Sequence, residues 1–175
     1  YEGKIDMDIE FADLEASDYI NQILALEDLD IIHGYPDNTF RPNENITVAE
    51  SLKLAVHTLG FKLENGEDIW YMPYVDKARE LDLVSTNDYI DFDRPIKREE
   101  LDKLIKKTLK GEDNINLRHM EQHITRGEAT EIFLKARNMI GEEAFSIEKA
   151  IFLEHELESR LYQETIKTDE RFNKV

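Results

Sequence analysis

Two arginines and a few aromatic residues are the side chains of this 175-residue chain best placed to do chemistry. Arg98 and Arg126 each follow the second residue of a short motif, Ile96-Lys97-Arg98-Glu99-Glu100 and Ile124-Thr125-Arg126-Gly127-Glu128. Each motif opens a helix, so each cation meets the positive end of a helix dipole, where it is mildly unfavourable. A residue set against its local field calls for a partner. That partner is either a carboxylate in a neighbouring loop or an anionic ligand, which the free amides of a helix start already favour. Trp70, the single tryptophan, has a face that stacks on sugar C–H surfaces and serves equally well as a core aromatic. In the segment Gly34-Tyr35-Pro36-Asp37-Asn38-Thr39-Phe40, Tyr35 and Phe40 flank Asp37. Phe40 reads as a plug pinning the loop to the core, Tyr35 as a hydrogen-bonding group, and Gly34 as a turn residue expected at positive φ.

Other chemistries find less support. His119 and His123 stand four apart, as helix-borne metal ligands do, but no glutamate directly follows the first and no third ligand is evident, so no metal site is expected. Asp37-Asn38 and the cluster Asp88, Asp91 and Asp93 lack the twelve-residue calcium-loop pattern, which leaves room only for incidental calcium. The chain has no cysteine and no Gly-x-Ser-x-Gly elbow. A glycosidase needs two poised carboxylates, and among 39 acidic residues any pair is uninformative. The expectation is a binding protein, not an enzyme, with no cofactor.

The elements that must position these residues share one design. In Ile46-Thr47-Val48-Ala49-Glu50 the Thr47 hydroxyl can accept from the Glu50 amide while the Glu50 carboxylate bonds back to the Thr47 amide, a capping box. Thr125 and Glu128 offer the same pair, and Lys97 with Glu100 a degraded one. Three such starts imply an internal repeat. Apolar spacing predicts a first helix over about 15–29, capped by Asp13 or Ser17, and a second from Thr47 to Leu59, stopped at Gly60. Further helices are expected over about 69–81, 96–109 and 125–140, then over 146–167. No segment alternates with period two, so the fold class is mainly α.

The loop and the capped helices resemble the S-layer homology (SLH) family. Its repeat has an aromatic-x-Asp start, a first helix, a Gly-Tyr-x-Asp-Gly-x-Phe-x-Pro loop, and Ile-Thr-Arg-Ala-Glu opening a second helix. Residues 11–60 match in order, from Phe11-Ala12-Asp13 through Gly34-Tyr35-Pro36-Asp37 and Phe40-Arg41-Pro42 to the capped helix. A weaker copy spans about 69–110, with Trp70, Leu83-Val84, Asp91-Phe92 and Arg94-Pro95. A third, about 113–141, has lost its front, because the motif helices start 50 and then 28 residues apart.

The resemblance implies a pseudo-threefold, helix-loop-helix array over 1–141. The missing front of the third copy would leave Ile132 and Phe133 uncovered, so an amphipathic C-terminal helix in 142–175 is expected to fold back into that place, the alternative being a linker helix that projects toward a next domain or pairs with another chain. It implies non-covalent anchoring of a bacterial surface protein through a secondary cell-wall polysaccharide. The glycan-binding residues carried over are Arg98, Arg126, Trp70, Asp13, Gly34, Tyr35 and Asp37. Thr47, Glu50, Thr125 and Glu128 are the caps. Val48 stands where the first copy should have its arginine, so a groove depending on that arginine is expected to be weak. The alternative is a degenerate array that docks other surface-layer protein chains.

Composition sets the outer bounds. A net charge of −17 argues against a nucleic-acid partner, which requires a basic footprint. The same acidity repels an acidic glycan at long range, so binding must rest on a local basic pocket or bridging cations. No apolar run reaches the length of a membrane span, so a soluble protein is expected; the family resemblance adds an extracellular place, at the bacterial cell surface or cell wall. With 35% charged and 41% hydrophobic residues, the chain reads as globular.

Overall fold

A computed structural model describes residues 11–88, 91–111, 115 and 117–141. The chain divides into two compact units, Tyr1–Asn138 and Met139–Val175, and the described residues lie almost wholly in the first. Among them are five α-helices and no strand: α1 (Ile20–Asp28), α2 (Val48–Thr58), α3 (Met72–Glu80), α4 (Arg98–Thr108) and α5 (126–141). No helix among the described residues is long and apolar enough to cross a membrane. The helix expected over 146–167 and its folding back onto the array lie outside the described residues.

Burial follows the apolar spacing. α4 buries Leu101, Leu104, Ile105 and Thr108, a stripe at intervals of three and four, and turns its lysines outward. α2 is buried on nearly every face, with Leu52, Ala55 and Val56 fully enclosed, and it packs against both α3 and α4. In α5, Ala129, Phe133 and Ala136 are fully enclosed, and Ile132 is nearly so.

Two helices begin later than their spacing predicts. α1 starts at Ile20 instead of near residue 15 because residues 12–19 are taken up in turns. Its N-cap, Tyr19, makes no side-chain cap bond. Ser17 accepts from the Tyr19 amide at 3.2 Å, and Asp13 is employed elsewhere. α3 starts at Met72, with Pro73 in the first turn, where a missing N–H costs nothing.

The first four helices end alike. Amides of Ile31, Phe61, Leu83 and Gly111 reach back to the carbonyls of Leu26, Val56, Ala78 and Lys106, the six-to-one closure of a Schellman turn. Its left-handed residue is Gly60 at φ 90° after α2, but Asp30, Asp82 and Lys110 after the others. Past the turn the chain sends Ile31-Ile32 and Leu83-Val84 back into the core.

The helix starts are tied to one another. The first amides of a helix have no partner within it, and here neighbouring segments supply one. Val48 and Ala49 donate to the carbonyls of Arg94 and Phe92 at 3.0 and 2.9 Å. Arg98 and Glu99 donate to Gln122 and Met120, at 2.8 and 3.1 Å, and Arg126 and Gly127 to Glu44 and Pro42, at 2.8 and 2.9 Å. Isolated antiparallel bridges accompany these bonds: Thr47 with Pro95, Lys97 with His123, and Asn45 with Thr125. Each segment is thus bridged to both others, and the isoleucine that each one carries beside its bridges, Ile46, Ile96 or Ile124, is fully buried.

Candidate functional site

The caps fix the first geometry. Thr47 Oγ1 accepts from the Glu50 amide at 3.2 Å, and Glu50 Oε2 accepts from the Thr47 amide at 2.9 Å. Thr125 and Glu128 repeat the pair at 3.2 and 3.0 Å. At α4 only half survives: Glu100 accepts from the Lys97 amide at 3.0 Å, and a lysine side chain has no oxygen to return the bond.

These capping glutamates are also where the arginines go. Arg126, only 8% exposed, gives Nη1 to Glu50 Oε1 at 2.5 Å and Nε to the Phe40 carbonyl at 2.8 Å. Its guanidinium lies 4.7 Å from the ring centroids of both Tyr35 and Phe40, a cation–π distance. Arg98 gives Nη2 to Glu128 Oε1 at 2.5 Å, leaving its buried Nε without a partner. Burial pushes the Glu128 carboxyl up, but the Thr125 amide and the Arg98 guanidinium outweigh it and hold it below the usual range. Val48 cannot make such a pair, and Arg94 supplies the cation instead. It grips Glu100 with both terminal nitrogens, at 2.9 and 2.5 Å, and holds its carboxyl low. Of the two partners open to these arginines on sequence, the carboxylate is the one they contact.

The Gly34–Pro42 loop is built by Asp13 and Asp37. Asp13 accepts from the amides of Phe40 and Arg41 at 2.8 and 2.7 Å, fastening the loop to the start of the first copy. Asp37 accepts from Thr39 and from Arg41, which bends the loop tip. Gly34 departs from expectation. It does not have positive φ, and its need is space, since a Cβ there would stand 2.1 Å from Phe11 Cε1 and 2.8 Å from the Thr39 carbonyl. Phe40 is buried, 5.7 Å from Phe11.

Beside this loop opens a cleft of about 510 Å³. Gly34, Tyr35, Trp70 and Arg126 line it, whereas Arg98, Asp13 and Asp37 do not. The Tyr35 hydroxyl donates to Glu50 Oε1 at 2.9 Å, and the ring lies between Arg126 and Arg41, whose guanidinium is 4.0 Å from its centroid. Burial pushes that hydroxyl up to about 12, so it remains a donor. Half-buried Trp70 sits edge-on to Tyr71 at 5.5 Å.

Sequence reasoning missed Lys53, Asn65 and Asp93, which also line the cleft. Lys53 stands one turn beyond Glu50 on α2, so helical spacing would have placed it beside the capping carboxylate. Burial lowers the affinity of its ammonium for the proton.

His119 and His123 are both exposed, in the turn before α5, and no group of three or more metal-ligating side chains occurs among the described residues. Residues 10–50 match the family model of the S-layer homology domain. No curated protein matches the chain.

Proposed function

We infer that this chain, whose residues 10–50 belong to the S-layer homology family, is a non-catalytic module that anchors a surface protein to the bacterial cell envelope. S-layer homology domains serve that purpose generally. In the finer reading, α2, α4 and α5 are the motif helices of three repeats about a pseudo-threefold axis. Support comes from the cyclic order of the bridges, first start to second, second to third, third to first. A secondary cell-wall polysaccharide occupies the cleft between the first two copies. The observation that carries this is a convergence: Gly34, Tyr35, Trp70 and Arg126, spread over 93 positions, line one cleft.

Within that cleft Trp70 presents the stacking face and Tyr35 the hydroxyl, while Arg126 holds both Tyr35 and the loop in place. Arg98, Asp13 and Asp37 then act through structure: Asp13 and Asp37 shape the loop, and Arg98 ties the second start to the third. Co-sedimentation with purified wall sacculi, with and without chelator, tests the reading. The wild-type protein is expected to pellet with the walls, and Trp70→Ala to remain in solution while melting at an unchanged temperature. A wild-type protein that ignores the walls would defeat the anchoring reading and turn attention to docking between surface-layer chains.

A further inference from the structure

His57 is a buried titratable group that anchoring does not use. It lies in the last turn of α2 and is 7% exposed. Its Nδ1 stands 3.1 Å from the Ile31 carbonyl, which joins α2 to the segment that follows α1. A carbonyl only accepts, so the neutral ring carries its proton on Nδ1 and leaves Nε2 bare. Nε2 is enclosed and has no hydrogen-bond partner among the described residues. The rings of His33 and Tyr74 stand edge-on to His57, at 6.3 and 5.4 Å between centroids. The segment that His57 holds, Ile31, Ile32, His33 and Gly34, lines one side of the cleft.

A second proton has only Nε2 to go to, and there it creates a buried donor with nothing to accept it, on a cation out of water. The neighbouring charges give little relief. Lys53, one turn back on α2, and His33 both oppose a charge on the ring. Asp30, on the segment after α1, favours one, but its side chain is half exposed and Lys62 holds its carboxylate. From α3 comes Tyr74, whose hydroxyl is directed to the Leu63 carbonyl and Asn65. From α5, Arg137 bonds the Thr58 carbonyl and brings a further positive charge to the end of α2. The last turn of a helix favours a cation, and so does the Ile31 carbonyl, but burial outweighs that bond and lowers the ring's affinity for the proton.

We propose that His57 is an acid-sensitive latch: neutral, it holds residues 31–34 against α2, and protonated, it releases them and opens that side of the cleft. Release lets water reach Nε2, which removes the penalty. Because folding lowers the ring's proton affinity, the stability of the closed latch is present above the unfolded value, about 6.5, and is lost as pH falls through the lower folded value. The proposal goes beyond anchoring and holds whatever the cleft binds.

Hydrogen exchange of the full chain, read by mass spectrometry at about pH 7.5 and about pH 5 and corrected for intrinsic rates, tests it on either side of the ordinary imidazole value. At the lower pH, peptides covering residues 30–35 are expected to exchange about tenfold faster or more, the size of one buried donor left unpaired, while those from α4 keep their protection. His57→Asn keeps a side-chain N–H for the Ile31 carbonyl and takes up no proton, so its segment should stay closed at both pH values. Nitrogen NMR of the wild-type imidazole needs no variant. It should find the proton on Nδ1 at neutral pH, and the second proton arriving over the pH range in which the segment opens. Exchange of residues 30–35 that ignores pH overturns the proposal, and so does a folded His57→Asn that opens in acid as the wild type does. A neutral ring protonated on Nε2, or acid exchange that rises equally in α4, overturns it as well. None of these results bears on binding to sacculi, so anchoring stands or falls separately.

Discussion

Two junctions in this molecule set a cation on a capping glutamate and reach that end by different routes. At Glu50 the cation is Arg126, which comes 76 positions along the chain from the first residue of α5. At Glu100 it is Arg94, from the loop just before the same helix, six positions away. The first pair is enclosed, its side chains 9% and 17% exposed; the second is open, at 34% and 23%. The first joins distant segments, whereas the second only staples a loop to its own helix. The comparison shows what the glutamate requires. Any guanidinium within reach satisfies it, but only the long-range pair fixes how segments meet.

The largest expected effect comes from breaking the enclosed pair. Arg126→Ala leaves the largely enclosed Glu50 without its counter-charge and frees the Phe40 carbonyl; loss of one partner of a buried pair costs about 3–5 kcal/mol, and with the Glu50 side chain 17% exposed the lower end of that range is expected. Denaturant unfolding at neutral pH measures it. The double variant Arg126→Ala/Glu50→Ala should lose much less than the two single costs added together. Strict additivity would mean that the two side chains are neighbours without being partners.

Much of this fold was legible in the sequence, for identifiable reasons. Thr47 with Glu50 and Thr125 with Glu128 could be read directly, because a capping box is local and needs only four consecutive residues. The period of α2 and α4 was equally plain. The start of α1 was misplaced because the polar residues at 13, 15 and 18 satisfy a helical pattern as well as they satisfy turns. Asp13 looked like a cap and instead bonds amides 27 and 28 positions away, a partnership no local pattern announces. Gly34 was rightly singled out for the wrong reason, since close approach of Phe11 is a tertiary fact. Of the candidate site, Tyr35, Trp70 and Arg126 could be named but not joined. Lys53 was passed over because lysines on helices are usually solvated.

The caps give the next size of effect and sharpen the comparison between complete and degraded starts. Thr47→Ala and Thr125→Ala each remove a hydroxyl acceptor and are expected to cost about 0.5–2 kcal/mol. Lys97→Thr should act in the opposite direction. Lys97 already has the extended backbone of an N-cap, with φ −87° and ψ 155°, and its amide already bonds Glu100. A hydroxyl there would complete the missing half and raise the thermal midpoint, with a gain of about 0.5–1 kcal/mol. If Lys97→Thr melts lower than the wild type, the half-box of α4 is set by its neighbours and not by its cap.

The smallest effect belongs to Arg94, and its pH dependence makes it distinctive. With both partners partly open to solvent, Arg94→Ala is expected to cost only about 0.2–1 kcal/mol at neutral pH, where exposed pairs fall. The Glu100 carboxyl is held below its ordinary value, chiefly by Arg94. A carboxyl depressed in the folded state contributes stability that is present above its unfolded pKa, about 4.3, and is lost as pH falls through the folded value. The gap between wild type and Arg94→Ala should therefore be widest near neutrality and close in acid, as Glu100 takes up its proton. Urea unfolding at about pH 7 and again well below the ordinary glutamate pKa reads both ends of that window. A gap that persists undiminished in acid would show that Arg94 contributes through its bond to the Pro95 carbonyl and the packing of its stem, and not through charge. The comparison would then change, because only the two long-range arginines would be partners of a capping glutamate in the electrostatic sense, and the first start, with Val48, would have no functional substitute.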